Sequence, residues 1–149
     1  MGLDQLIKKL VLSSLSMGER VKIVPGFFDL TLVSNTGAAW GMFRNYSFIL
    51  TLLAVSALLV LIVVRRHFTY VGWIPRIALG LLIGGIAGNL MDRLIHGHVI
   101  DFLLFYIGTR QWPAFNVADS AICVGVGLYL IHSFKEEQKA SADAAASKS

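Results

Sequence analysis

The chain has 149 residues, of which 56% are hydrophobic and 15% are charged, and its mean hydropathy is +0.69. Soluble domains carry roughly 25% charged residues, so the composition excludes an ordinary soluble domain and indicates an integral membrane protein of one domain. The net charge of +4 is modest and no lysine and arginine cluster alternates with aromatic residues, which argues against nucleic-acid binding, while the single cysteine, Cys123, excludes an intramolecular disulfide and a cysteine-based metal site.

The first predicted element is a short segment at Leu3–Leu15. It contains apolar residues but carries Asp4, Lys8 and Lys9, and it falls short of the about 20 residues that cross a bilayer as a helix. We interpret it as the second half of a membrane helix whose first half is missing. A cleaved signal peptide fits poorly, because no apolar core follows a basic start and no small-residue cleavage site is present.

The next segment, 16–45, has a pattern that is not typical of a helix. Residues 21–26 end in a Pro-Gly turn signal, and from Phe28 to Ser34 the residues alternate in a way that predicts a strand. Ser34–Gly41 then supplies small residues where the backbone could approach a ligand. The segment predicts a small sheet lying on the membrane, with a plain structural loop as the alternative.

Three longer apolar runs predict membrane-spanning helices. Tyr46–Val64 is uninterrupted by charge. Ile77–Met91 follows Trp73 and Pro75, which suit an interfacial anchor and the first turn of a helix, and this helix can continue into more polar sequence. The last predicted span runs from about Phe115 to Phe134.

Basic residues predict the orientation of these spans. Arginines lie in the loop between the spans predicted at Tyr46–Val64 and Ile77–Met91, and lysines follow the last span. They are Arg65, Arg66, Arg76, Lys135, Lys139 and Lys148. The positive-inside rule puts that loop and the C-terminus in the cytoplasm. Segments 16–45 and 95–114 are then predicted to face outward.

The span predicted at Ile77–Met91 and its continuation carry two side-chain patterns. Gly80, Gly84 and Gly88 repeat every four residues, which predicts close helix packing in lipid. Polar residues follow on one face, at Asn89, Asp92, Arg93 and His96. We interpret Asp92 and Arg93 as structural support, with Arg93 pairing either with Asp92 or with the backbone of a neighbouring strand. His96 and His98 lack a third ligand nearby, so a metal site is not expected.

Two aspartates indicate the chemistry. Asp101 and Asp119 lie in or beside strongly apolar sequence, within V-I-D-F and F-N-V-A-D-S. A carboxylate near the bilayer core is energetically expensive and usually marks a functional site. Two of them flanking one short connection predict a pair that shares a proton and activates water against a peptide bond.

Five segments resemble, in order, the motifs of the lipoprotein signal peptidase (signal peptidase II) family. They are Leu3-Asp-Gln-Leu-Ile-Lys8, Val33-Ser-Asn-Thr-Gly-Ala-Ala-Trp-Gly41, Gly85-Ile-Ala-Gly-Asn-Leu-Met-Asp-Arg93, Val99-Ile-Asp-Phe102 and Phe115-Asn-Val-Ala-Asp-Ser120. The resemblance covers about residues 3–134. Because five motifs occur in one order at family-like spacing, it is specific, whereas D-Q-x-x-K alone would be weak.

The resemblance implies an all-α membrane protein, a four-helix transmembrane bundle with a small extracytoplasmic β-cradle. Such enzymes are aspartic endopeptidases of the bacterial inner membrane that remove the signal peptide from diacylglyceryl-modified prolipoproteins, before the lipidated cysteine. Asp101 and Asp119 would be catalytic, and site support would come from Asp4, Gln5, Asn35, Gly37, Gly88, Asn89, Arg93 and Asn116. No metal or cofactor is implied, and the expected partners are the prolipoprotein and membrane lipid, with the protein a monomer.

The resemblance also frames the two ends of the chain. Family members have roughly a dozen apolar residues before D-Q-x-x-K, whereas only Met1-Gly-Leu precede Asp4 here. An upstream start or a truncated first helix is therefore expected. Residues 1–136 are predicted to form the integral membrane peptidase domain, with the active site near the outer face, and 137–149 a disordered cytoplasmic tail.

Other classes of membrane protein are alternatives with testable sequence signs. A transporter or channel subunit would carry more polar residues along its spans than Tyr46–Val64 does. A presenilin-type protease needs G-x-G-D and a rhomboid-type protease needs G-x-S-G, and neither motif occurs. A non-enzymatic membrane scaffold would tolerate loss of either Asp101 or Asp119.

Overall fold

The computed structural model describes residues 1–37, 42–43, 46–70 and 72–146. Within them, helices and strands follow in the order α1 (Gly2–Ser14), β1 (Arg20–Val24), β2 (Phe28–Asn35), α2 (Ser47–Tyr70), α3 (Trp73–His96), β3 (Val99–Ile107), β4 (Arg110–Gln111) and α4 (Val117–Ala146). The small-residue segment predicted at Ser34–Gly41 is described as far as Gly37.

Three of the helices in the described ranges are long and apolar enough to cross a membrane, namely Ser47–Arg66, Trp73–His96 and Val117–Ala146. These match the three predicted spans. Helix α1 has 13 residues and is not among them, so the four-span bundle stays a prediction. Pro75 lies in the first turn of α3, as predicted, and Gly97 ends that helix with a left-handed φ of 77°, a conformation that glycine adopts without strain.

The strands form one antiparallel sheet in the order β1-β2-β3-β4. In the register of its central pair, Val33 lies opposite Asp101 and Asn35 opposite Val99. The prediction of a sheet from residues 21–34 is confirmed. Strand β3 was not predicted, because V-I-D-F-L-L-F-Y-I is almost continuously apolar and does not alternate; its first four residues are all buried. Strand β4 has only two residues, too few to show an alternation.

Strand β2 is irregular, because the register shifts between Leu30 and Val33. Its polar residues Asp29 and Thr31 are buried, and each has a partner: Tyr106 Oη donates to Asp29 (3.0 Å) and the Thr31 hydroxyl donates to Glu19 O (2.8 Å). A bulge of this kind changes which side chains share a face. Burial along β2 therefore does not follow the simple alternation of its sequence.

Two packing regions hold the helices to each other and to the sheet. Helix α1 packs on the sheet through a cluster of four buried residues, Val11, Leu32, Ile100 and Phe102. Helices α3 and α4 approach closely at Gly85, where an added Cβ would lie 2.5 Å from Ala118 O. The predicted packing role is confirmed for Gly84, whose added Cβ would lie 3.3 Å from Met1 N just before α1, and for Gly88, which faces Asp4 and Ala118. A Cβ on Gly80 would meet nothing within 4 Å.

The C-terminal part of the chain differs from its prediction. A disordered tail was expected over residues 137–149, yet α4 continues as an exposed helix through Ala146. Its composition explains the helix, since alanine, lysine, glutamate and glutamine have high helix propensities. The domain boundary at residue 136 itself stays a prediction.

Candidate active site

The start of α4 is fixed by two side chains from outside the helix. Asn116, the residue before α4, accepts a hydrogen bond at Oδ1 from Asp119 N (2.9 Å), and Asp119 Oδ2 accepts one from Asn116 N (3.2 Å). This reciprocal pair is the arrangement of a capping box. Asp4 Oδ1 of α1 accepts from Ala118 N (2.9 Å). The amide groups that a helix start leaves unsatisfied therefore hold Asp119 in place.

Asp101 lies on β3 with 1% of its surface exposed. Asn35 Nδ2 donates to its Oδ2 (2.8 Å) and Asn116 Nδ2 donates to its Oδ1 (2.8 Å). The Asn35 amide is itself oriented, because its Oδ1 accepts from Gly37 N (2.9 Å). Each carboxylate oxygen of Asp101 thus has an uncharged donor.

Asp119 has a matching set of donors. Asn89 Nδ2 donates to its Oδ1 (2.7 Å), while its Oδ2 binds Asn116 N. Asn116 therefore contacts both aspartates, with its side chain on Asp101 and its backbone on Asp119. Burial first, and then the negative charge of Asp119, raise the pKa of Asp101 to about 7, against the opposing effect of its amide donors.

Behind this pair lies a buried ion cluster that joins α1 to α3. Lys8 Nζ lies 2.8 Å from Asp4 Oδ2 and 2.7 Å from Asp92 Oδ2, with all three side chains about 1% exposed. Asp92 also accepts from Gln5 Nε2 (2.8 Å) and from Ile100 N of β3 (3.0 Å). The cluster therefore connects two helices to the strand that carries Asp101.

Arg93 and Gly88 close the region on either side. Arg93 donates to Gly37 O (3.2 Å) and to Asn89 O (3.5 Å), so of its two predicted partners it has a backbone carbonyl just beyond β2 rather than Asp92. A Cβ at Gly88 would lie 3.0 Å from Asp4 Oδ2 and 3.3 Å from the Ala118 side chain. An alanine at position 88 would therefore crowd Asp4 of α1 and Ala118 of α4.

All ten predicted site residues lie in or around the region formed by the two aspartates and the buried ion cluster. Asp101, Asp119, Asn35, Asn89 and Asn116 make direct contacts with one another, and the others support them. Gln5 donates to Asp92 and to Gly88 O (3.2 Å) rather than to either member of the pair.

Lys8 is the residue that the sequence analysis missed. Its spacing of four residues from Asp4 could have signalled the ion pair that the structure contains. Away from the cluster, the rings of His96 and His98 are 6.0 Å apart. Among the described residues, no group of three or more His, Cys, Asp or Glu side chains is arranged to hold a metal ion.

An open apolar cavity of about 630 Å³ begins beside the cluster. It is lined mainly by aromatic side chains, including Phe27, Phe105, Trp112 and Phe115, with Arg110 at its edge. Phe115 directly precedes Asn116 along the chain, and its ring stacks on Phe105 with centroids 5.7 Å apart. Phe115 therefore links the lining of this cavity to Asn116, the residue that binds both aspartates.

The fold and the site together define a class of protein. It is a membrane protein in which helices meet a small sheet at two carboxylates, one buried and one half-buried, that accept hydrogen bonds from uncharged donors. A family model described as signal peptidase (SPase) II matches residues 1–135. The chain therefore belongs to the signal peptidase II family, a family of peptidases that process lipoproteins, and it is an integral bacterial membrane protein.

Individual relatives agree with this assignment. The lipoprotein signal peptidase of Neisseria gonorrhoeae is 50% identical over 135 residues, which cover 87% of this chain and 80% of that protein. The lipoprotein signal peptidase of Symbiobacterium thermophilum is 42% identical over 139 residues, covering 93% and 91%. A solved structure described as a bacterial membrane enzyme has a TM-score of 0.85 at 29% identity and covers 92% of this chain and 84% of its own.

Proposed function

We propose that this protein is an aspartic endopeptidase that removes the signal peptide from diacylglyceryl-modified prolipoproteins and cleaves before the lipidated cysteine. Asp101 and Asp119 are the catalytic pair. The observation that carries the proposal is that Asn116 binds both carboxylates at once, the buried Asp101 of β3 and the half-buried Asp119 in the first turn of α4. The name of the relatives supplies the class of substrate.

The mechanism follows from the unequal positions of the two acids. Two carboxylates that interact across a buried site cannot both ionise cheaply, so one keeps a proton near neutral pH. We assign this proton to Asp101 because it is the more deeply buried of the two carboxylates, and burial favours the neutral form. Asp119 then takes a proton from water as the water oxygen attacks the scissile carbonyl carbon. Asp101 donates a hydrogen bond to the carbonyl oxygen and passes its proton to the leaving nitrogen as the C–N bond breaks.

The surrounding residues orient this pair without adding charge to it. Asn35, Asn89 and Asn116 each donate to a carboxylate oxygen. A second group braces them, consisting of Asp4, Gln5, Gly37, Gly88 and Arg93. The steps use side chains and water alone, so the mechanism needs no cofactor. The aromatic cavity beside Phe115 offers an apolar surface to a lipid-bearing substrate.

The proposed setting is the inner membrane, which the protein crosses several times as a monomer. The ends of the helices that connect to the sheet are the C-terminal ends of α1 and α3 and the N-terminal ends of α2 and α4. These all belong to one side of the membrane if the helices span it. The positive-inside rule makes that side the outer one and leaves the C-terminus in the cytoplasm.

The direct test is cleavage of a diacylglyceryl-modified prolipoprotein by the purified protein, with the unlipidated precursor as control. Asp101→Asn and Asp119→Asn should each lower turnover by more than about 10²- to 10⁴-fold, because an amide of nearly the same shape cannot exchange the proton and the pair acts as a unit. Asp29→Asn removes another buried carboxylate, on β2, and should retain activity. If Asp101→Asn or Asp119→Asn kept more than a tenth of wild-type turnover, that aspartate would not be a member of the catalytic pair.

A further inference from the structure

We propose that Lys8 is a positioning residue of the reaction, which acts by locking the side-chain amide of Asn89 in the orientation that presents its N–H groups to Asp119. The inference rests on the proposed peptidase function. It adds to that function a residue which the two-aspartate mechanism does not use and which touches neither aspartate of the pair.

The ammonium group of Lys8 lies within 3.3 Å of oxygen atoms on three buried side chains. Two are the carboxylates of Asp4 and Asp92, and the third is Asn89 Oδ1, at 3.3 Å. A buried ammonium is costly unless every donor is satisfied. The contact with Asn89 therefore completes the coordination of the charge rather than being incidental.

The same contact acts together with Asn116 Nδ2 on the Asn89 oxygen and so helps to set which way the Asn89 amide points. Asn89 Oδ1 receives Lys8 Nζ and Asn116 Nδ2 (3.1 Å), while Asn89 Nδ2 donates to Asp119 Oδ1 (2.7 Å). If the amide turned by half a rotation, its N–H groups would face two other donors and its oxygen would face a carboxylate. An amide has an acceptor end and a donor end that are not interchangeable, so a cation on one side fixes a donor on the other.

Asn89 is surrounded by charges from every element that packs around it. They are Asp4 and Lys8 of α1, Asp92 and Arg93 of α3, Asp101 of β3 and Asp119 of α4. Lys8 and Asp4 therefore form one opposite-charge pair within this set. Removing both leaves the net charge of the region unchanged but removes the lock, which separates the orientation of the amide from simple charge balance.

Four forms of the full-length protein test the inference in detergent: wild type, Lys8→Met, the double variant Lys8→Met/Asp4→Asn, and Lys9→Met. Lys9 is exposed on the same helix and is the matched control. Both Lys8 variants should lose about 10- to 100-fold in kcat, the range for supporting or slightly misplaced groups, with KM within about twofold. Their pH–rate profiles should move to higher pH by about one unit, since a hydrogen bond to the ionised base is lost.

A second readout does not depend on catalysis. In protein labelled with ¹⁵N at asparagine, the Asn89 side-chain signal, assigned by its absence from Asn89→Ala, should follow the ionisation of the site in wild type and Lys9→Met but not in the Lys8 variants. Asp4→Asn keeps an oxygen for Ala118 N, so the double variant decides the question if Lys8→Met does not fold.

The outcomes separate the two hypotheses. The positioning role is overturned if the Lys8 variants have the same kcat, pH profile and Asn89 signal as Lys9→Met. Loss in Lys8→Met that the double variant restores also overturns it, because charge balance alone would then explain the effect. Absence of cleavage by wild type rejects the peptidase function, while the Asn89 signal still reports whether the lock exists.

Discussion

Asn116 shows how much of this site is organised by one uncharged residue. Its side chain donates to Asp101, its Oδ1 caps α4, and its backbone N–H binds Asp119. Asparagine has both donors and acceptors, so it can hold two carboxylates without neutralising either. Aspartate at this position would add a third carboxylate beside the two that the proposed mechanism requires to share one proton.

The raised pKa of Asp101 predicts a pH dependence of stability. A carboxyl group whose pKa rises on folding, from about 3.9 to about 7, leaves the folded state binding more protons than the unfolded state between those values. Its contribution to stability is full below pH 4 and is lost as the pH rises through about 7. Asp101→Asn lacks this titration and should be more stable than wild type at pH 8, but similar at pH 4.

The measurement is the thermal midpoint in detergent at pH 4, 6 and 8 for the two proteins. Groups remote from Asp101 titrate equally in both proteins, so the informative quantity is the difference between the midpoints, which should grow with pH. Asp29→Asn, at a buried aspartate outside the cluster, serves as the control. A difference that stays constant from pH 4 to pH 8 would show that folding does not raise the pKa of Asp101.

Residue identities in the site were predictable to the extent that they are written in local motifs. Asp101, Asp119 and the asparagines stand in short segments that can be read directly. The second ion-pair partner of Lys8, Asp92, was not predictable in this way, because it lies on α3 and meets Lys8 only in the folded protein. The hydrogen bond from Arg93 to Gly37 O likewise depends on how the chain leaves β2 beside α3.

At the scale of elements, glycine sets the distance between α3 and α4. A Cβ on Gly85 would lie 2.5 Å from Ala118 O and 2.7 Å from an Ile122 side-chain carbon, and one on Gly125 would lie 2.9 Å from Ala78 O. The helices thus touch backbone to backbone on both sides, the kind of contact that small residues permit between helices in lipid. Ala118 lies next to Asp119, so this packing also positions the start of α4.

Gly85→Ala should therefore destabilise the protein by about 1–3 kcal/mol, the usual cost of overpacking, and lower turnover. Gly80→Ala is the matched substitution on the same helix, with nothing within 4 Å of the added carbon. Alanine favours helix over glycine by roughly 1 kcal/mol, so this control should be neutral or slightly stabilising. Thermal midpoints and turnover of the two variants provide the comparison. Equal stability for both would remove the packing role assigned to Gly85.

The helices were easier to predict from the sequence than the strands of the sheet. Long apolar runs identify α2, α3 and α4, and the ends differ from the prediction where a cap intervenes, as at Asn116 before α4. The strand β2 was detected through its alternation and the turn before it. Strand β3 was not, because burial of its first residues on both faces removes the alternation, and its pairing with β2 is a long-range property.

At the scale of the whole molecule, the chain connectivity makes one prediction about sidedness. The sheet and the candidate site lie between the ends of helices that share one side, while the α2–α3 connection and the end of α4 lie at the other ends of those helices. Arg65, Arg66 and Arg76 are on that second side. Cytoplasmic loops carry an excess of lysine and arginine, so the second side should be cytoplasmic and the site should face outward.

Reporter fusions in a Gram-negative host test this topology. Fusions after Arg66 and after Lys139 should be active with a cytoplasmic reporter, and fusions at Gly26 and Gly108, in the turns of the sheet, with a periplasmic one. Two reporters of opposite sidedness at every position control for expression. The orientation depends on the arginines, so replacing Arg65 and Arg66 by Ala should weaken it. A periplasmic signal after Arg66 would instead put the aspartates on the cytoplasmic side, where a precursor exported across the membrane would not present its cleavage site to them.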